Sequence, residues 1–97
     1  MAEKLSENDV EQRLAGLQGW SLADGKLSRD FKFADFARAF GFMASAAIEA
    51  DKLNHHPEWS NVYNKVSVRL VTHEAKGITD LDFQLARKMN ELLPGEP

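Results

Sequence analysis

The stretch from about Asp35 to Asn54 reads as one long, mostly apolar helix, and Pro57 forbids it to continue. A helix this rich in Ala and Phe needs other elements to cover it, so the remaining segments are expected to pack around it. It runs into Asp51-Lys52-Leu53-Asn54-His55-His56-Pro57-Glu58-Trp59, a carboxylate, two adjacent histidines and a proline stop. The residue before a proline is pushed out of the helical region, which predicts an extended His56.

At about 100° per residue, Phe36, Phe40, Met43, Ala47 and Ala50 gather on one side of this helix, the expected core face. Arg38, Ser45, Glu49 and Lys52 gather opposite, with Phe42 at the edge of that polar stripe. Ala37, Gly41, Ala44 and Ile48 carry apolar surface well round the cylinder, which predicts a second apolar contact, self-association, that Phe42→Glu is expected to break. Asp51, Asn54 and His55 fall at i, i+3 and i+4 near the apolar side, so an inward carboxylate and an imidazole one turn later are expected to pair.

The flanking segments read as two hairpins and two outer helices. Ser6 is the expected cap of a first helix, with Asp9 at the capping-box position, a stripe of Val10, Leu14 and Leu17, and Gly19 as its end. Trp20 to Leu22 and Leu27 to Phe33 mostly alternate around Asp24-Gly25, a tight-turn pair, with Arg29 breaking the pattern. From Asn61 to His73 runs a second β pattern, with Val66, Val68 and Leu70 on one face; it is too long for one strand, and Asn64-Lys65 is the expected turn. His73 then falls at the end of the last strand, followed by an Ala75-Lys76-Gly77 loop. Thr79 and Asp82 form a capping box for a last helix with Leu85, Ala86, Met89, Leu92 and Leu93 inward, stopped by Pro94-Gly95. The expected fold class is α+β in the order α-β-β-α-β-β-α.

At 97 residues the chain is expected to be a single domain, residues 1–97. Its 43% hydrophobic and 28% charged residues fit a soluble globule, and its longest nearly apolar run, Ala39 to Ile48, falls far short of the roughly 20 residues of a membrane span. A net charge of −3 without clustered Lys and Arg argues against direct nucleic-acid binding. The polar first ten residues lack a secretion signal and there are no cysteines, so thiolate and Cys-zinc chemistry fall away and a cytoplasmic location is expected.

The chain has three histidines, His55, His56 and His73, and histidine both gives and takes protons near neutral pH. Zinc is the competing use of such residues, but adjacent histidines point in different directions and neither an HxH nor an HExxH arrangement is present. GxSxG, phosphate-loop and dinucleotide motifs are absent too. Acid/base catalysis on a small molecule, with no metal and no cofactor, is the remaining expectation.

Asp51-x-x-x-His55-His56-Pro57, then Tyr63, His73 and Asp82, resembles the signature of the pterin-4a-carbinolamine dehydratases, and the contexts Pro57-Glu58-Trp59 and Thr72-His73-Glu74 are similar to that family as well. The resemblance implies a four-stranded antiparallel sheet with helices on one face, and dehydration of 4a-hydroxytetrahydrobiopterin to quinonoid dihydropterin without a metal. It implies that His55, His56 and His73 are the catalytic and pterin-binding histidines and Asp51 their supporting carboxylate. Asn54, Trp59, and Thr72 and Glu74 through their backbones, are the expected substrate contacts, and Asp82 is expected to serve as a helix cap. Two departures stand out: the family often has Glu where this chain has Asp51, and Asp where it has Asn54. Expected partners are the pterin and further copies of the chain, as homodimer or homotetramer, with no membrane. Animal members of the family also serve as dimerisation cofactors of a transcription factor, which gives a non-catalytic interaction module as the alternative.

Overall fold

A computed structural model describes residues 2–93. Helix α1 (Glu7–Ala15) leads into strands β1 (Ser21–Ala23) and β2 (Lys26–Lys32), the long helix α2 (Phe36–Leu53), strands β3 (Glu58–Val62) and β4 (Lys65–Leu70), a 3₁₀ turn (His73–Ala75) and helix α3 (Asp80–Glu91). The four strands form one antiparallel sheet in the order β1-β2-β4-β3, so the two hairpins meet through their second strands, Leu27 opposite Leu70 and Phe31 opposite Val66. This is the expected α+β architecture, in the expected order. The expected Pro94-Gly95 stop lies outside the described residues.

Alternation assigns the two faces of the sheet. Leu27, Phe31, Val66, Val68 and Leu70 are buried beneath the helices, while Asp30, Lys32 and Lys65 point to solvent. Arg29 shares the inner face because its guanidinium lies over the Phe31 ring, 4.6 Å from the centroid, and donates to Gln18 O and Asn90 Oδ1. Trp20, expected in β1, instead precedes it, buried, with Nε1 donating to Asn90 Oδ1 at 2.8 Å.

Local boundaries differ where turn chemistry outweighs periodicity. Helix α1 closes at Gly16, before Gly19, although Val10 and Leu17 are both buried as expected. The second hairpin turns at Tyr63-Asn64, one residue early, because Asn61 donates to both Tyr63 O and Lys65 O, and Tyr63 takes a left-handed φ of 52°. Strand β4 ends at Leu70, which puts His73 in the 3₁₀ turn instead of a strand.

The main correction concerns the rotational phase of α2. Its buried residues are Ala39, Phe42, Ala46 and Ala50, whereas Phe36 and Phe40, assigned above to the core, are 49% and 56% exposed. Phe42, read above as an outer residue, packs between Phe31 and Phe33 at centroid distances of 4.6 and 5.1 Å. Three alanines on the inner stripe let the helix approach β4 and α3 closely, so the bulkier stripe faces outward.

Candidate active site

The end of α2 turns one histidine into the protein. Asn54 adopts a left-handed conformation (φ 51°, ψ 43°), and the His55 N–H reaches back to Ala50 O at 3.0 Å. This reversal brings His55 to 8% exposure, with Nε2 2.5 Å from Asp82 Oδ1 on α3. Asp82 is fully buried; its Oδ2 accepts from the Thr79 N–H and the Thr72 hydroxyl, both at 2.9 Å. The Thr79 hydroxyl, 2.7 Å from Thr72 Oγ1 and accepting from the Leu81 N–H, completes the network. With Oδ2 filled by two donors, hydrogen-bond accounting assigns the Nε2 proton of His55 to Oδ1, and its Nδ1 is then the ring nitrogen left for chemistry.

Asp51 does not orient His55. Its carboxylate is on the exposed side of the helix end and meets His56 Nε2 at 2.8 Å. The physical reason is the left-handed Asn54: once the chain leaves the helix there, the i, i+4 relation between Asp51 and His55 no longer holds. Asp82 takes that role in addition to capping α3. Sequence reasoning stopped at the cap because a capping box already explains an Asp at that position.

His73 has a third carboxylate, one not singled out from sequence. Glu58 Oε2 lies 2.7 Å from His73 Nε2, and its Oε1 accepts from Lys26 Nζ at 2.6 Å. The Lys26 ammonium first, then the His73 imidazole, holds Glu58 below the usual carboxylate range. Each of the three histidines therefore has its Nε2 against its own carboxylate, at the end of the sheet where β3 begins and β4 has finished. The sequence signals for Glu58 are its position directly after Pro57, which starts the strand there, and its place in the family-like Pro57-Glu58-Trp59 context.

A cavity of about 280 Å³ opens beside this cluster, lined by Ala2, Leu53, Asn54, His55, Thr72, Glu74 and Leu81. It gathers His55 with three of the four expected substrate contacts, Asn54, Thr72 and Glu74. The fourth, Trp59, pairs across strands with Val68 on the inner face and packs against the core. His56, His73 and Asp51 are outside its lining, with exposed side chains. Among the described residues no three His, Asp or Glu side chains gather as metal ligands.

The sequence profile of the family described as Pterin 4 alpha carbinolamine dehydratase matches residues 3–92. The chain belongs to this family. A pterin-4-alpha-carbinolamine dehydratase relative from Solibacter usitatus is 52% identical over 95 residues, covering 98% of this chain and 100% of the relative. One from Rhizobium etli is 56% identical over 92 residues, covering 93% and 91%. The crystal structure of a transcriptional coactivator/pterin dehydratase from Brucella melitensis superposes with a TM-score of 0.89 at 52% identity, covering 92% of this chain and 97% of that one. Within the pterin-4a-carbinolamine dehydratase family, the two departures acquire a structural meaning. Asp51 reaches His56 despite its shorter side chain, and Asn54 occupies a left-handed position that Asn tolerates well.

Proposed function

We propose that this protein is a hydro-lyase that removes water from 4a-hydroxytetrahydrobiopterin, giving quinonoid dihydropterin by histidine acid/base catalysis without a metal, in tetrahydrobiopterin recycling. The observation that carries this reading is the buried His55–Asp82 pair bordering a cavity of about 280 Å³, close to the smallest small-molecule sites.

The reaction breaks the C4a–O bond, the hydroxyl leaving with a proton as water, and removes the N5 proton so that its electron pair forms the C4a=N5 bond. One base and one acid suffice. His55, with its Nε2 proton committed to Asp82, takes the N5 proton at Nδ1. The acid is one of the two exposed imidazoles, His56 or His73, each held by its carboxylate and in contact with water for reprotonation. Asn54 and the backbone of Thr72 and Glu74 meet the polar edge of the pterin.

The test is stopped-flow dehydration of chemically generated 4a-hydroxytetrahydrobiopterin. Wild type is expected to accelerate the loss of water, and His55→Ala to lower kcat by about 10² or more. Comparing His56→Ala with His73→Ala identifies the acid as the variant with the larger loss. No acceleration by wild type defeats the reading.

A second reading, an interaction module, draws on the outward stripe of α2, where Phe36, Phe40 and Ile48 are exposed. The Brucella relative is described as a transcriptional coactivator as well as a pterin dehydratase. For this chain we propose that the stripe joins copies of the protein into a dimer or tetramer, and that a protein partner, not DNA, competes for it.

A further inference from the structure

The contact between Lys26 and Glu58 crosses the sheet. The strand order is β1-β2-β4-β3, so Lys26 on β2 and Glu58 on β3 have β4 between them, a span of about 10 Å at the usual strand spacing. Ser28, Arg69 and Glu58 face one another in a row on the outer face, and Lys26 stands two residues before Ser28 on that same face. Its ammonium still reaches Glu58 Oε1 at 2.6 Å, so its side chain lies across β4 where that strand ends. Arg69, directly opposite Glu58, is the nearer cation by register. Its guanidinium, however, donates to Val68 O at 2.8 Å and to Asp30 Oδ1 at 3.2 Å. The Glu58 carboxylate is therefore shared by Lys26 and His73.

Each oxygen of that carboxylate has one partner: Oε1 accepts from Lys26 Nζ, and Oε2 accepts from His73 Nε2 at 2.7 Å. An ionised carboxylate only accepts, so the Nε2 proton is directed at Glu58 and Nδ1 of His73 is left free. Holding Oε1 fixes the rotation of the group, and this decides where Oε2 points. His73 depends on that anchor, because its side chain is 73% exposed, stands on a three-residue 3₁₀ turn and makes no other hydrogen bond among the described residues. His56 has a simpler arrangement, in which no other group is bonded to the Asp51 carboxylate among the described residues. Of the three histidine–carboxylate pairs, only that of His73 has a cation behind its carboxylate.

We infer that Lys26 is a positioning residue for His73, acting through Glu58 and without lining the cavity beside His55. The first hairpin, whose Asp24-Gly25 turn immediately precedes Lys26, is then part of the framework of the site. The consequence for turnover rests on the dehydratase reading; the Lys26–Glu58–His73 clamp does not.

Two measurements on the full chain test this, with urea unfolding as the check that each variant folds. The first is an NMR titration of the Glu58 carboxyl group, which the Lys26 ammonium and then the His73 imidazole hold below the usual range. Lys26→Met keeps the stem and removes the charge, and is expected to move the Glu58 titration upward; His73→Ala is expected to move it upward by less. The second is stopped-flow dehydration of 4a-hydroxytetrahydrobiopterin. Lys26→Met is expected to lower kcat by about tenfold with KM within about twofold, since a misplaced catalytic group costs rate more than binding. In a His73→Ala background the same substitution is expected to change kcat by less than about twofold, because the residue it acts through is gone.

A Glu58 titration that Lys26→Met does not move overturns the clamp. A kcat unaffected by Lys26→Met or by His73→Ala, or lowered by Lys26→Met equally in both backgrounds, overturns the positioning role and leaves the dehydratase reading intact. If wild type shows no turnover, the dehydratase reading falls together with the positioning role, and the titration alone decides whether the clamp stands.

Discussion

At the scale of single residues, the site depends on how one buried carboxylate is shared. Asp82 caps α3 with one oxygen and holds His55 with the other, so its loss leaves an imidazole, a hydroxyl and an amide without their acceptor. Asp82→Ala is expected to cost about 3 kcal/mol in urea unfolding. Asp51→Ala removes the partner of an exposed histidine and is expected to cost under about 1 kcal/mol. Equal costs for the two would contradict the division into a buried and an exposed pair. The sequence revealed that Asp82 sits at a capping position, because capping boxes have a fixed local spacing. It concealed the contact with His55, which depends on how α3 lies against the end of α2. It also suggested the wrong carboxylate for His55, because Asn54 in the left-handed region breaks a helical spacing that Asp51 and His55 otherwise satisfy.

At the scale of the element, α2 shows why apolar content is a poor guide to phase. Its extent from about Asp35 to Asn54 follows the sequence signals, since helix ends are set locally, and the structure shows Asp35 as the cap, accepting from the Arg38 N–H. Its facing does not, because a helix apolar on most sides offers two competing stripes, and the one with more aromatic mass is not the one that fits closest to a sheet. Phe42→Ala is expected to destabilise the fold by about 4 kcal/mol, since the buried ring packs against both Phe31 and Phe33. Phe40→Glu is expected to leave the unfolding midpoint within about 0.5 kcal/mol of wild type, as surface changes usually do. Sedimentation of Phe40→Glu tests self-association directly: a lower mass than wild type supports the α2 stripe as the contact, and an unchanged mass removes it. Phe42→Glu cannot serve for this purpose, because it places a charge in the core.

At the scale of the whole molecule, the sequence made two hairpins legible through Asp24-Gly25 and through a turn expected at Asn64-Lys65, which the structure places one residue earlier, at Tyr63-Asn64. Which strands meet in the middle was not legible, since the pairing of β2 with β4 is a long-range choice made by the two strands whose residues are buried beneath the helices. Three carboxylates distributed over this fold are held below their ordinary range: Asp30 by the Ser67 hydroxyl and then Arg69, Glu58 by Lys26 and His73, and Asp80 by Gln84 and then Arg13. A carboxylate whose pKa is depressed in the folded state contributes stability above its unfolded value, and that contribution is lost as the pH falls through the folded value. The urea midpoint is therefore expected to change little on account of these groups from pH 7 to about 5 and to fall below about pH 4, less steeply in high salt because all three are solvent-screened. A midpoint that rises on acidification would overturn this. The pairing of β2 with β4 has a further consequence, in time. The Leu27–Leu70 and His55–Asp82 contacts each join residues far apart in sequence, the kind of pairing that forms slowly, so the site is completed with the tertiary fold and not by local structure. Catalytic competence and global cooperativity should then appear together in refolding, with activity recovering at the rate of the slowest step that closes the sheet.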